Sequence, residues 1–149
     1  MNTWKKFCKY GHFGASYILS AANYWAPPVD IRRVAKVLDI KVTESPDIDG
    51  PYSVSVSPEG AAEVVLKGAE PESRKRYSIA QAIGRIILTA HSPDGTVYDD
   101  DVDMYADGLL MPIRMIKSLK GYSHLQMKDI FFVPQDVMYE RWCRTHHMK

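Results

Sequence analysis

The chain has 149 residues, a formal net charge of +1, and 46% hydrophobic against 25% charged residues. This length supports one domain with its own core, and the balance is that of a globular protein whose bulk charge selects no partner. No run reaches the ~18 apolar residues of a membrane span, and two cysteines, Cys8 and Cys143, build neither a disulfide framework nor a spaced metal pair.

Charge is unevenly spread. Lys and Arg against Asp and Glu stand at 7 to 2 in residues 1–41, 5 to 13 in residues 42–112 and 7 to 3 in residues 113–149. A mixed solvated surface accounts for this pattern. Free thiols fit a reducing compartment, so the chain reads as cytoplasmic.

Residues 14–25 read as an amphipathic helix with Tyr17, Ile18, Ala21, Ala22 and Trp25 on one face. Lys5, Lys6 and Lys9 precede it, a faint likeness to a secretory leader, but Ser16, Tyr17, Ser20 and Asn23 interrupt the apolar run. Ala26-Pro27-Pro28 stops this helix. Asp30 then caps a second one, with Val29 and Val34 placed as a hydrophobic staple and Ile31, Val34, Ala35 and Leu38 as the buried face. Residues 40–42 predict a short strand. Residues 52–57 alternate, with Tyr52, Val54 and Val56 on one side and three serines on the other, the pattern of a half-buried strand. Residues 58–60, PEG, are a turn signal, and residues 63–68 predict the returning strand.

Residues 69–76 form a polar lead-in, with Ser73 as a helix cap. The central helix that follows is apolar around most of its circumference, through Ile79, Ala80, Ile83, Ile86, Ile87 and Leu88. Such a helix is normally buried against several elements. It carries one polar stripe at helical spacing: Ser78, Gln81, Arg85 and Thr89. By periodicity alone that stripe is a solvent face. The sequence HSPDGTVYDDD, residues 91–101, then reads as an acidic loop, and residues 102–110 as a helix ended by Met111-Pro112. Pro112 opens a short helix, where its missing N–H costs nothing, and Gly121 closes it. Helices over 124–131 and 134–144 follow, joined at Phe132-Val133-Pro134. There is no repeat, low-complexity tract or splitting linker, so residues 1–149 read as a single domain. Helices, a small sheet and more helices predict an α+β fold.

Five segments in this order resemble the ImmA/IrrE family of zinc metallopeptidases, over about residues 14–143. They are the first helix, PVDIRRVAKVLDIKV from Pro28, RYSIAQAIGRIIL from Arg76, DVDMYADGLLMP from Asp101, and HLQMKDIFFVPQDVMYERW from His124. The resemblance implies zincin-like helices around a small antiparallel sheet, with a C-terminal helix pair. It turns the polar stripe toward a cleft and places the family's zinc ligands at Gln81 and Arg85, its general-base glutamate at Ala82 and its third ligand at Asp101. The chain departs from the family at these positions. Catalytic zinc needs about three protein ligands drawn from Cys, His and carboxylate. A guanidinium is always cationic and offers a metal no lone pair, and alanine takes no proton from water. Of the four, Asp101 alone keeps a usable group.

Nothing else rebuilds the site at a recognisable spacing. His12, His91 and His124 are scattered, and His146-His147 reads as a terminal tail. Asp99, Asp100, Asp101 and Asp103 are hard-cation donors by type but lack the EF-hand spacing. Cys143 with His146 is the nearest approach to a nucleophile pair, and an ordinary thiol explains it. The expected protein is therefore a catalytically inactive, metallopeptidase-like regulator with no catalytic residue, metal or cofactor. The resemblance implies a partner protein, such as the repressor of a prophage or other mobile element. The alternative is a DNA-binding regulator that uses the C-terminal helix pair as a helix-turn-helix, with Gln135, Tyr139 and Arg141 near a groove. Against it stands Phe132 at a turn position that often takes glycine.

Overall fold

The computed structural model describes residues 2–147, with the backbone alone for His147, and the His146-His147 pair is accordingly followed through His146 only. A 3-10 segment, Thr3–Phe13, leads into α1 (Gly14–Ala21) and α2 (Ile31–Val37). The strands are β1 (Ile40–Ser45), β2 (Tyr52–Val56) and β3 (Ala62–Lys67). Then come α3 (Glu72–His91), α4 (Asp99–Leu110), α5 (Ile113–Ser118), α6 (His124–Phe131) and α7 (Gln135–His147). The fold is α+β, with seven α-helices and one small sheet among the described residues.

α2 forms as its sequence dictates. The Asp30 carboxylate accepts from the Arg33 N–H at 3.1 Å, which satisfies one of the helix's unpaired donors. Val29, Val34, Ile31, Ala35 and Leu38 are all buried. The sheet differs from expectation. β2 and β3 form the predicted antiparallel hairpin, but β1 pairs parallel to β3, giving the order β1-β3-β2. The sheet is therefore mixed, not antiparallel. β3 occupies the centre because it alternates cleanly, burying Ala62, Val64 and Leu66 against the helices. β1 and β2 are left with open edges.

α3 is the axis of the core. Ile79, Ala80, Ala82, Ile83, Ile86, Ile87 and Leu88 are buried on it, and it packs against the N-terminal segment, α2, α4, β2 and β3. Each fully buried Ile or Leu contributes about 1.5–3 kcal/mol. One contiguous apolar cluster runs from Trp4 to Met138.

Three local expectations are corrected. α1 ends at Ala21, and its buried face is Ala15, Ile18 and Leu19, while Tyr17 and Trp25 are exposed. Asn23, at φ +63°, breaks the helix before Trp25 can join that face. The Trp25 ring meets the Arg114 guanidinium at 4.9 Å instead. Ser73 does not cap α3, because the helix starts two residues earlier than that cap would place it, at Glu72, with Pro71 at the cap position and the Lys75 N–H on the Pro71 carbonyl. α4 starts at Asp99 rather than Val102, since three aspartates in a first turn complement the positive end of the helix dipole.

The α6–α7 join has its own clamp. Phe132 adopts the left-handed conformation, φ +55°, which is costly for a side-chain-bearing residue. The buried Arg76 side chain donates to the Phe132 carbonyl at 3.0 Å and the Phe131 carbonyl at 3.2 Å, with its guanidinium 5.0 Å from the Phe132 ring centre. Those bonds from α3 compensate the strained turn.

Candidate functional site

α3 and α4 run antiparallel and face each other through three polar rungs. The Tyr77 hydroxyl donates to the Asp107 carboxylate at 3.3 Å. The Gln81 amide donates to Asp103 at 2.8 Å. Arg85 donates to Asp99 at 2.8 Å and, through Nε, to the Tyr52 hydroxyl of β2 at 3.2 Å. Four-residue steps on each helix keep every member on one line. The aligned line on α3 is thus Tyr77, Gln81 and Arg85. Ser78 lies off it and is buried, and Thr89 is exposed beyond its end.

Burial grades along the ladder. Arg85 and Asp99 retain 35% and 87% of their side-chain exposure, whereas Tyr77 and Asp107 retain 8% and 2% as residues. At the open end, the Tyr52 hydroxyl first and the Asp99 carboxylate second hold Arg85 above the ordinary guanidinium range. At the closed end, burial pushes the Asp107 carboxyl up to about 6, although Arg141, Arg144 and the Tyr77 hydroxyl all favour its ionised form. Arg144 of α7 donates to Asp107 at 3.2 Å and also pairs with Glu140 at 3.3 Å.

The four positions singled out from sequence do not converge. Gln81 and Arg85 join the ladder, Ala82 is fully buried beside it, and Asp101 lies elsewhere. The resemblance to the ImmA/IrrE family implies an Arg85–Asp101 pair in place of a metal, and that pair does not form. Asp99 takes Arg85 instead, because two residues along a helix is more than half a turn and carries Asp101 off the facing line. Asp101 lines a separate cleft of about 240 Å³ together with His12 and His91. Among the described residues, no group of three or more His, Cys, Asp or Glu is placed to hold a metal ion.

Sequence reasoning missed Asp99, Asp103 and Asp107 as a set. The signal was their i, i+4, i+8 spacing, matched by Tyr77, Gln81 and Arg85. Next to Arg85 lies a groove of about 420 Å³ with mostly apolar walls, including Trp4, Val54, Val56 and Ile86, below the open edge of β2. On the C-terminal pair, Gln135 and Tyr139 are exposed, but Arg141 turns inward and donates twice to the Met111 carbonyl, at 3.2 and 3.1 Å. Asp136 pairs with Arg74 at 2.9 Å. The arginine assigned to a DNA groove is thus occupied in holding α7 to the end of α4. The His146 Nδ1 atom is 2.9 Å from the Trp142 carbonyl, a hydrogen bond within its own helix.

No helix among the described residues is long and apolar enough to cross a membrane. Comparison with protein-family models, curated proteins and solved structures gives no match to this chain.

Proposed function

We propose that this chain is a metallopeptidase-like protein of ImmA/IrrE type, with a zincin-like arrangement of helix, sheet edge and cleft, that binds a partner protein and does not hydrolyse it. The observation that carries the reading is the open half of the α3–α4 ladder. Where the resemblance puts two zinc ligands, Gln81 and Arg85 bond to Asp103 and Asp99. Cation and carboxylate thereby satisfy each other without an ion. Ala82, in the general-base position, has no proton-accepting group.

The binding half of the reading rests on the neighbouring surface. The groove of about 420 Å³ is bordered by the unpaired edge of β2 and by Arg85. An extended segment laid along β2 would gain main-chain hydrogen bonds from the edge and would bury the part-exposed Val54 and Val56 side chains. Its partner class, implied by the resemblance, is a repressor of a prophage or other mobile element.

The test is to capture binding partners from the native host with the purified protein and to titrate a captured repressor into it. Calorimetry is expected to show saturable binding that weakens when Val54→Asp is introduced at the groove. The repressor is expected to remain intact for hours with or without added zinc. Chelator-sensitive cleavage would refute the non-catalytic half of the reading, and an absence of binding would refute the partner half.

A further inference from the structure

α5, the segment that follows it, α6 and α7 line a half-open cleft of about 460 Å³, which shares no residue with the ladder or with the β2 groove. This volume lies in the range of ordinary small-molecule sites.

Its lining is divided by chemistry. Ile113, Ile116 and Met127 supply apolar surface, with Ile116 and Met127 packed into the core behind it. Lys117, Lys120 and His146 supply the nitrogen-bearing groups, and no carboxylate lines the cavity among the described residues. Lys117, in the last turn of α5, and Lys120, two residues past its end, are both exposed, and neither has an ion-pair partner among the described residues. Ammonium groups beside low-dielectric walls attract an anion more strongly than they would in open water. The nearby start of α6 is not available as an anion cradle. Its Ser123 hydroxyl already takes the Gln126 N–H, and the Gln126 side chain takes the Ser123 N–H.

We propose that this cavity is a binding site for a small amphipathic carboxylate, its hydrocarbon part on Ile113, Ile116 and Met127 and its charge beside Lys117, Lys120 and His146. The lining selects both parts at once. A bare anion leaves the apolar wall wet, and a neutral hydrocarbon leaves the cations unmatched.

Decanoate, decanol, acetate and decyl phosphate are the probes, each titrated into the full chain. Binding is followed by calorimetry and by the ¹³C-methyl resonance of Met127, assigned through a Met127→Leu variant. Decanoate is expected to bind one to one with a dissociation constant below about 1 mM, to shift the Met127 resonance, and to exceed decanol and acetate at least tenfold. Lys117→Ala combined with Lys120→Ala is expected to lose about tenfold for decanoate and little for decanol. Ile113→Trp, which fills the mouth from a partly exposed position, is expected to block both. The site is refuted if decanoate shows no saturation below that concentration, or if decanol binds equally well. An unmoved Met127 resonance or an unaffected lysine variant refutes it too. Tighter binding of decyl phosphate than of decanoate would overturn the carboxylate assignment.

Discussion

The two ends of the α3–α4 ladder use the same chemistry in different surroundings. At one end Arg85 meets Asp99 near the surface; at the other Tyr77, Arg144 and Asp107 meet inside. Water screens the first pair and replaces its bonds at little cost when it breaks. Tyr77 and Asp107 have given up their water, while Arg144 keeps 40% of its side-chain exposure, so the energetics of the buried carboxyl follow its protonation. A hydrogen-bond distance near 3 Å therefore says little about stability until burial is known.

The largest effect is expected at the closed end. Asp107 titrates in the folded protein at about 6, above the ordinary carboxyl value of 3.8, because burial disfavours its charge. Its stabilising contribution is full below about pH 4 and is lost as the pH rises through about 6. At about 1.4 kcal/mol for each tenfold change in proton affinity, this amounts to roughly 3 kcal/mol. Asp107→Asn abolishes the titration, so chemical denaturation at pH 4 and pH 7.5 should show the wild type losing about that much stability relative to the variant. A constant difference across this range would place Asp107 in contact with water and remove the contrast between the ends.

Next comes the packing that holds the two helices together. A Cβ on Gly84 would stand 2.9 Å from the Tyr105 Cβ of α4, closer than real contacts allow. Gly84→Ala should therefore destabilise by about 1–3 kcal/mol despite alanine's better helix propensity. It should also loosen the ladder, seen as faster amide exchange in α4. A stabilised variant would mean that α4 can move away freely.

Tyr105 allows a finer comparison. Its hydroxyl is buried with no hydrogen-bond partner among the described residues, unlike the buried Tyr77 hydroxyl on Asp107. Tyr105→Phe should stabilise by about 1 kcal/mol, and Tyr77→Phe should destabilise by a similar amount by orphaning one bond of Asp107. Equal effects of the two changes on thermal unfolding would contradict the assignment.

The smallest effect belongs to the open end. A double-mutant cycle on Arg85 and Asp99 should give a coupling of about 0–1 kcal/mol that fades in high salt. The same cycle with Asp101 in place of Asp99 should give none. Coupling to Asp101 instead would restore the pairing that the ImmA/IrrE resemblance implies and remove Asp99 from the ladder.

The sequence carried α2 in detail, because its cap, staple and buried face are local patterns within ten residues, Val29 to Leu38. It carried the β2–β3 hairpin, the apolar faces of α3, and the α6–α7 pair for the same reason. Gln81 and Arg85 were legible as one stripe. Which acids they meet was not, since the acidic run Asp99–Asp101 looked like a loop and the facing line depends on where α4 begins.

What the sequence by itself determined are features whose physics is local: the periodicity of α2 and α3, the alternation of β3, the cap at Asp30 and the absence of metal-ligating side chains at Gln81, Ala82 and Arg85. The tertiary structure alone decided the parallel pairing of β1 with β3, the burial of Trp4, the inward turn of Arg141 and the choice of Asp99 over Asp101. Each of these joins segments distant in the chain. Their free energy comes from desolvation and close packing between faces, which no window of neighbouring residues contains.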